Sequence, residues 1–587
     1  MGREDCPKRA TADPEFQDGT LKLALVAAFA AAAVYAPTLR HQFLWDDIPQ
    51  ILDNPWMRDF RSLPVIFSSD SWIVQQTAGY YRPLLHTVYL ILYQTFGPNP
   101  VAFHAANVLL HGLNTALVVL FVRRLHGSIG GDRAAGPGFS LVAGLMFAVH
   151  PANASVVAWA QGMDNTLCAC FGLAALLAHQ RTGRLWAALA ALGLVLAAFS
   201  RETAAVFPPL MVLTDLVGAR QPWLGTVRTR LPRYCLYAAA LVGYLAIRAR
   251  ALGALLTGGP GSPFDGKSLL LDGPVLFALN LRTLFIPFPL AVRPPYLPVQ
   301  SPADPRFAAS VVVIALLAFI ALRLAKRSPL GFLGLAFVTL PLLLVVYLPA
   351  NGLPLGNHRL YLPTAGLGLV LAAALFRERA APAFLKRHRT RIGVAVAVIL
   401  GAWTLAWSPV YADSLTFWRA AVRNTPEAWM PHLHLGIALA EAKRDPEAVV
   451  ELEMAGAIAP RNPLAHYHLA GIYLRQGRRD LASAEYRTAL AVDPAHFPSL
   501  SDLAQLELDS EHDKEALALL QRAVKIAPGH PWVRDRLGAA LFLNGYTAAG
   551  IAELKAAAEL APWDAEIRRH LEQAQQLLRA PTGPGAQ

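Results

Sequence analysis

Two adjacent carboxylates, Asp46 and Asp47, follow the first apolar segment of the chain and stand directly after Trp45. A carboxylate at a membrane surface can act as a general base that removes the proton of an acceptor hydroxyl, or it can orient a cation. An ordinary solvated loop can carry the same residues without either role. The pair is therefore a candidate for chemistry that needs support from residues elsewhere in the chain.

Further polar and aromatic residues occur where other apolar segments meet their loops. Ionisable groups near a bilayer boundary are costly, so they indicate function by default. Arginine suits a lipid-linked phosphate, because its planar guanidinium holds two phosphate oxygens at once. These residues are Asp70, Trp72, Tyr81-Arg82-Pro83, His150, Asp164, Arg201-Glu202 and Asn357-His358-Arg359-Leu360-Tyr361.

A metal site is not expected. His104 and His111 are seven residues apart and share one helix face, a spacing that fits a metal pair but is more often found among packing residues. The four cysteines form neither a CxxC zinc pattern nor a disulfide framework.

The composition is that of a membrane protein with a polar C-terminal part. The 587 residues are 55% hydrophobic and 16% charged, and the mean hydropathy is +0.37. The net charge of +12 comes largely from Lys and Arg clustered in short loops between apolar segments. That clustering marks cytoplasmic loops, and it argues against nucleic acid as a partner.

The apolar segments predict an all-α membrane domain of about eleven spans over residues 21–410, after a cytoplasmic tail, 1–20. We expect the first span to be an uncleaved anchor, and 269–292 to be either a twelfth span or an interfacial helix. The candidate site residues then share the outer face. The spans are 21–39, 101–122, 139–158, 164–180, 185–199, 204–218, 233–249, 307–324, 330–349, 359–376 and 392–410.

An internal repeat occupies the polar part. Proline recurs every 34 residues, with alanine at positions that need close helix contacts, which is typical of tetratricopeptide repeats. We predict a half repeat or linker at 411–428, an α-solenoid with a capping helix at 429–579, and a flexible tail at 580–587. Such solenoids typically bind extended peptides, although oligomerisation or scaffolding fits as well. The prolines are Pro426, Pro460, Pro494, Pro528 and Pro562.

These motifs, in this order, resemble the transmembrane and tetratricopeptide-repeat-containing O-mannosyltransferases, which have the GT-C glycosyltransferase fold. The resemblance covers nearly the whole chain. It implies an inverting transfer of mannose from a polyprenyl-phosphate donor to Ser or Thr hydroxyls, with the donor as a substrate and with no cofactor or metal. Asp46 and Asp47 take the catalytic role by this match. We expect Arg82, His150, Asp164, Arg201, Glu202, Arg359 and Tyr361 to bind the donor, and Trp45, Asp70 and Trp72 the acceptor.

The sequence departs from the family in two motifs and in having few repeats. The residues after His150-Pro151 read Ala-Asn-Ala-Ser, where the family often has a second His and a Glu, and Arg201-Glu202 replaces a Lys-Glu pair. The Ala-, Arg- and Leu-rich composition suggests a bacterial inner-membrane protein with periplasmic repeats. In a eukaryote the repeats would lie in the lumen of the endoplasmic reticulum.

Two alternatives remain open at this point. The same fold could glycosylate a lipid or an envelope polysaccharide instead of a protein recruited by the repeats. The chain could also be a non-catalytic membrane scaffold or a transporter, although a transporter is expected to show symmetry between its halves and polar residues at the bilayer midplane.

Overall fold

The computed structural model describes residues 14–70, 79–129, 136–219, 222–253, 266–292, 296–347, 355–377, 382–561 and 564–579. All regular elements in these ranges are helices. The chain divides into two compact units, Met1–Ala420 and Ala421–Gln587.

The first unit is built of fifteen α-helices with short 3₁₀ turns and one π turn between them, and a sixteenth helix crosses into the second unit. The helices are α1 Pro14–Tyr35, α2 Leu63–Ser68, α3 Pro83–Phe96, α4 Pro100–Ser128, α5 Gly138–Val149, α6 Ala154–Val157, α7 Met163–His179, α8 Arg184–Ser200, α9 Phe207–Gly218, α10 Trp223–Leu252, α11 Gly266–Phe285, α12 Pro305–Arg327, α13 Pro329–Tyr347, α14 Tyr361–Leu375, α15 Ala383–Trp407 and α16 Ser414–Asn424.

Within the described residues, seven helices are long and apolar enough to cross a membrane, and an eighth span results if the bent pair α5 and α6 is one. The chain is therefore an integral membrane protein. The stretches 164–180, 185–199 and 204–218 form α7, α8 and α9, which have 17, 17 and 12 residues. The expected total of eleven spans stays a prediction. The seven spans are Gly19–Arg40, Pro100–Ser128, Trp223–Leu252, Pro305–Arg327, Pro329–Tyr347, Asn357–Leu375 and Ala383–Tyr411.

Proline and glycine shape this unit where helices bend or approach closely. The break between α5 and α6 follows His150, because Pro151 lacks the N–H that would continue the helix, and the two halves differ in direction by 46°. Gly334 on α13 and Gly366 on α14 face each other, and a Cβ on Gly366 would stand 2.6 Å from the Gly334 carbonyl oxygen. Only small residues allow two membrane helices to pack this closely.

The second unit is a run of helix pairs with the predicted 34-residue period. The prolines Pro460 and Pro494 lie in the turns between successive pairs. A buried alanine recurs at the helix contacts, as at Ala448, Ala482 and Ala516, each of which is 0% exposed. The pairs are α17 Trp429–Glu441 with α18 Asp445–Ile458, α19 Leu464–Arg475 with α20 Arg479–Val492, α21 Phe497–Leu508 with α22 Asp513–Ile526, and α23 Pro531–Leu543 with α24 Thr547–Leu560, followed by α25 Ala565–Arg579.

Candidate active site

A cavity of about 250 Å³ lies in the first unit where several loops meet. Its walls come from stretches far apart in sequence, all of which the sequence assigned to the outer face or to its boundary. It is lined by Trp45, Asp46, Tyr80, Arg82, Ser155, Trp159, Gln161, Gly162, Asp164, Asn165, Arg201, Val292, Leu355, Gly356, Asn357, His358, Arg359, Tyr411 and Phe417.

The two adjacent aspartates have different surroundings. Asp46 is partly exposed and lines the cavity. Asp47 is completely buried, and its carboxylate accepts hydrogen bonds from the backbone N–H groups of Leu44 and Gln161, both at 2.8 Å. Burial raises the pKa of Asp47, while the two amide donors oppose that shift. Asp46 thus faces the cavity, whereas Asp47 ties its own loop to the loop before α7.

The backbone at Trp45, directly before the two aspartates, has an unusual conformation. Trp45 has φ of 35°, which is rare for a bulky residue and costs conformational energy. Its ring stacks on that of Trp159, with centroids 6.1 Å apart and planes at 10° to each other. The turn places Asp46 at the cavity and Asp47 in the protein interior. The aromatic wall beside Asp46 gives a flat apolar surface of the kind that sugars and peptide side chains pack against.

Arg82 and Arg201 converge on Asp164, the second residue of α7. Arg82 Nη1 donates to Asp164 Oδ2 at 2.7 Å, and Arg201 Nη1 donates to the same oxygen. Asn165 donates to the other oxygen of Asp164 at 2.6 Å. Asp164 is 1% exposed and Arg82 is 8% exposed, so the ion pairs are shielded from solvent. The network fixes the two guanidinium groups at the cavity wall.

Glu202 extends the network away from the cavity. Arg82 Nη2 donates to Glu202 Oε2 at 3.2 Å, and Arg248 near the end of α10 lies 3.6 Å from Oε1. Burial alone would raise the pKa of Glu202, but the charges of Arg82, Arg201 and Arg248 outweigh it and lower that pKa. For Arg82, desolvation is likewise outweighed by Glu202 and Asp164, so its pKa is raised. Both groups are therefore held in their charged forms.

Arg359 lies in the 3₁₀ turn Asn357–Leu360, directly before α14, and lines the cavity together with Arg201. The same two arginines also line a smaller adjoining cavity of about 30 Å³ beside Asn165 and Cys168. The main cavity thus carries three arginines against two carboxylates, Asp46 and Asp164, among its described lining residues. This excess of positive charge suits a bound anion such as a phosphate.

Besides Asp47 and Glu202, three described residues of the expected site do not line this cavity: His150, Tyr361 and Asp70. The ring of His150 accepts from the Ala152 N–H at 3.2 Å, and its other nitrogen lies 3.0 Å from the Leu284 carbonyl oxygen. Tyr361 Oη lies 2.8 Å from His111 Nδ1, inside the helix bundle. The carboxylate of Asp70 accepts from the Gly79 N–H at 2.7 Å. The expected acceptor-binding role of Trp72 lies outside the described residues.

Two of these side chains make structural contacts, and their expected role in donor binding stays a prediction. His150 caps the turn that bends α5 into α6, so it shapes the helix that carries Ser155 to the cavity. Tyr361 also accepts from the Asn114 amide at 3.1 Å, and it joins α14 to α4. Their positions beside motif residues made them candidates, because sequence alone does not give the direction in which a side chain points.

Other lining residues were not chosen from the sequence, among them Tyr80, Gln161 and Trp159. Tyr80 lies under the guanidinium of Arg82, whose Cζ is 4.4 Å from the ring centroid. Arg248, which pairs with Glu202, was missed as well. Its only signal in the sequence was a charged residue near the end of an apolar segment.

Among the described residues, no group of three or more His, Cys, Asp or Glu side chains is placed to hold a metal ion. His104 and His111 are both buried within the bundle. The expectation that the chain needs neither metal nor cofactor stays a prediction.

The fold and the site define the chain as an α-helical membrane protein with a loop-built, arginine-lined cavity and a helical-repeat unit. A tetratricopeptide-repeat family profile matches residues 464–496. A solved structure described as "Crystal structure of YrrB: a TPR protein with an unusual peptide-binding site" covers 28% of this chain and 85% of that chain, with 18% identity and a TM-score of 0.26.

Curated relatives match as well. Protein O-mannosyl-transferase Tmtc1 of Drosophila melanogaster is 34% identical over 166 residues, which is 27% of this chain and 18% of that protein. Protein O-mannosyl-transferase TMTC4 of Homo sapiens is 32% identical over 170 residues, covering 27% and 23% of the two chains. Human TMTC1 is 25% identical over 552 residues, which is 84% of this chain and 57% of the human protein. The chain thus spans 57% of the length of human TMTC1 and 18% and 23% of the lengths of the other two relatives.

The chain is thus similar to the transmembrane and tetratricopeptide-repeat-containing O-mannosyltransferases, in agreement with the resemblance seen in its sequence.

Proposed function

We propose that the chain is a membrane glycosyltransferase that moves mannose from a polyprenyl-phosphate donor to a hydroxyl group of a protein. The observation that carries this proposal is the position of Asp46 in one cavity with Arg82, Arg201 and Arg359. A transfer from a lipid phosphate to a hydroxyl needs both a base and a cationic site for the leaving phosphate. The names of the relatives support mannose as the sugar.

In the proposed reaction, Asp46 accepts the proton of a Ser or Thr hydroxyl as its oxygen attacks the anomeric carbon. The bond between that carbon and the phosphate oxygen breaks, and the electron pair leaves with the lipid phosphate. The attack comes from the face opposite the leaving group, so the anomeric centre inverts. Arg201 and Arg359 neutralise the charge that develops on the phosphate, while Asp164 holds Arg201 in place.

The repeats would bring the protein acceptor to the membrane unit. Tetratricopeptide solenoids present a concave surface for extended segments. Residues of α17, α19 and α21, with their partner helices, line a groove of about 500 Å³ that includes Tyr467, His468, Arg475 and Asp502. The aromatic and charged groups there suit a polar peptide.

The test is a transfer assay with the full chain in detergent or nanodiscs, using radiolabelled mannosyl-phosphoryl-polyprenol and Ser/Thr peptides. Asp46→Asn should reduce transfer by about 10²–10⁴-fold. Asp53→Asn is the matched control, because Asp53 is an exposed aspartate of the same loop that does not line the cavity. Equal activity of the two variants would disprove the assignment of Asp46 as the base.

The acceptor class is tested separately. Deleting residues 429–587 should abolish the labelling of protein while leaving the cavity intact. Unchanged modification of the acceptor by the truncated chain would exclude recruitment by the repeats. A labelled lipid or polysaccharide as the sole product would identify the second class of acceptor.

A further inference from the structure

A second and larger cavity lies in the membrane unit and plays no part in the proposed transfer reaction. Its volume is about 1040 Å³. It is formed by the C-terminal ends of α4, α7 and α9 and by the first turns of α10. The described residues that line it are Arg123, Arg124, Leu125, Gly127, Ser128, His179, Gln180, Thr182, Thr214, Asp215, Gly218, Ala219, Thr226, Thr229, Arg230 and Arg233.

The two cavities lie at opposite ends of the same helices. Asp164 begins α7 at the candidate active site, and His179 ends α7 at the second cavity. On α10, Arg248 pairs with Glu202 at one end and Arg230 pairs with Asp215 at the other. These arginines are eighteen residues apart, so the helix separates them by about 27 Å. That distance is close to the hydrocarbon thickness of a bilayer, which places the second cavity at the opposite membrane surface.

The second cavity is cationic. Four arginines line it, and Asp215 is the single carboxylate among the lining residues that the structure describes. The carboxylate of Asp215 is already paired. Its Oδ2 lies 3.1 Å from Nε2 of His179, and its Oδ1 lies 3.7 Å from Nε of Arg230. Arg124 and Arg233 donate to backbone carbonyl oxygens at 3.4 Å and 3.2 Å, those of Gln180 and His179. These guanidinium groups keep further donors for a ligand.

The wall also offers neutral hydrogen-bonding groups. The hydroxyl groups of Thr226 and Thr229 lie on the same face of α10 as the arginines at positions 230 and 233. The side-chain amide nitrogen and oxygen of Gln180 are buried and have no hydrogen-bond partner among the described residues. Buried polar atoms are rarely left unpaired, so a polar ligand in the cavity would satisfy them.

Exposed apolar side chains flank the cavity on α10. Trp223, Leu224 and Leu231 are 64%, 63% and 49% exposed. They lie beside the cationic wall, where the acyl chains of a lipid in that leaflet would pass. A free phosphate would use only the arginines, whereas a lipid would use both surfaces.

We propose that this cavity binds the phosphate of an anionic lipid headgroup in the leaflet opposite the candidate active site. The arginines of α4 and α10 hold the phosphate oxygens, the threonines and Gln180 contact the ester oxygens, and the acyl chains lie against α10. Basic pockets between membrane helices recognise lipid headgroups in this way. The lipid would join α4, α7, α9 and α10 at the end opposite the candidate active site.

Native mass spectrometry of the full chain in detergent tests this proposal. The probes are dioleoyl phosphatidic acid, dioleoyl glycerol and inorganic phosphate, each titrated separately. The wild-type protein should retain one phosphatidic acid molecule under conditions that retain neither of the other two probes. Retention of dioleoyl glycerol at the same concentration would show that the phosphate is not recognised. Retention of inorganic phosphate would show that the lipid part is not recognised. Either result would overturn the proposal.

Matched variants separate a built site from general charge attraction. Arg124→Gln with Arg233→Gln should weaken phosphatidic acid binding by about tenfold or more. Arg184→Gln with Arg228→Gln also removes two arginines, which are exposed near the same end of the helices and outside the cavity, and should change binding by less than about twofold. Equal losses in the two variants would overturn the proposal.

A measurement on the wild-type protein covers the case in which the first variant fails to fold. A photoreactive phosphatidic acid should label peptides from the end of α7 and from the start of α10. Labelling confined to other helices would overturn the proposal without any substitution.

Discussion

Arg82 Nη1 donates to Asp164 Oδ2 at 2.7 Å, and Arg201 shares that same oxygen. One buried carboxylate therefore balances two guanidinium groups that come from different loops. Removing a single partner from a buried ion pair leaves an uncompensated charge and costs about 3–5 kcal/mol. Asp164 therefore positions two of the three arginines to which the proposed function assigns the donor phosphate.

We expect Asp164→Asn to lower the thermal stability of the membrane unit strongly. Asp304→Asn is the control, because Asp304 pairs with a partly exposed arginine, Arg306, and asparagine keeps its cap on α12. Thermal unfolding in detergent measures both variants. A similar small shift in the two would show that the buried network adds little to stability.

The difference between Asp46 and Asp47 gives a second prediction. Asp47→Asn loses part of the hydrogen bonding to Leu44 and Gln161 and should destabilise the loop by about 1–3 kcal/mol. Asp46→Asn should destabilise the protein less than Asp47→Asn does and should reduce transfer by about 10²–10⁴-fold. Thermal unfolding and the transfer assay, run side by side, separate the two effects. The opposite assignment would require Asp47→Asn to remain fully stable and inactive.

Glu202 should give the protein an acid-sensitive contribution to stability. Its pKa is lowered in the folded state, because three arginines outweigh the effect of burial. Its stabilisation is present above the unfolded value of about 4.5 and is lost as the pH falls through the folded value. Unfolding temperatures should therefore fall in the wild type as the pH drops below about 4.5.

Glu202→Gln should be less stable than the wild type at neutral pH, and the difference should shrink on acidification. The measurement is thermal unfolding of both proteins between neutral pH and about pH 3. A difference that grows on acidification would contradict the direction of the pKa shift.

Gly162 joins α6 to α7, directly before the residues that hold the arginine network. A Cβ at this position would stand 2.0 Å from the Val156 carbonyl oxygen, so Gly162→Ala must shift the start of α7. We expect lower transfer activity and lower stability. Gly243→Ala on α10 is the control, since nothing lies within 4 Å of its Cβ, and alanine should favour that helix slightly. Equal behaviour of both variants would show that the turn tolerates a side chain.

The repeats contain a periodic contact with one exception. His432 pairs with Glu451 at 2.6 Å, His466 with Glu485 at 2.7 Å, and Arg534 with Glu553 at 2.6 Å, always nineteen residues apart. In the third repeat, buried Leu500 and Leu519 occupy these positions. Leu500→Ala should cost about 2–5 kcal/mol. Glu485→Ala breaks a partly exposed pair and should cost about 1 kcal/mol or less.

Hydrogen exchange of the full chain can measure these two effects repeat by repeat. Leu500→Ala should lower protection in α21 and α22, whereas Glu485→Ala should leave α19 and α20 nearly unchanged. The reverse order would show that ion pairs hold the solenoid together.

The sequence predicts the parts of this protein that depend on period and composition. The 34-residue spacing of prolines gives the helix pairs, and the profile match at residues 464–496 confirms the repeat type. The site residues next to loops, such as Arg82, Asp164, Arg201 and Arg359, line one cavity. Ionisable residues at a membrane boundary strongly indicate a functional site, because burying an ionisable group costs free energy.

What the sequence does not give is the direction of single side chains. The turn at Trp45, where φ is 35°, directs Asp46 and Asp47 to different surroundings, and no local sequence pattern predicts such a turn. His150 and Tyr361 stand in equally polar motifs, yet their contacts are to Leu284 and His111. These outcomes depend on which distant helix lies nearby, and that is a property of the folded chain.

The ion pairs at the two ends of α10 have a consequence for the membrane in which the protein works. Arg230 is held by Asp215 in the last turn of α9, and Arg248 is held by Glu202 in the turn before α9. The helix therefore cannot slide or tilt freely to match a bilayer of different thickness, as a lone span can. A bilayer with longer acyl chains would have to become thinner around the protein or pull these pairs into its apolar core. Lipid chain length should thus govern both the stability of the protein and the membrane in which it accumulates.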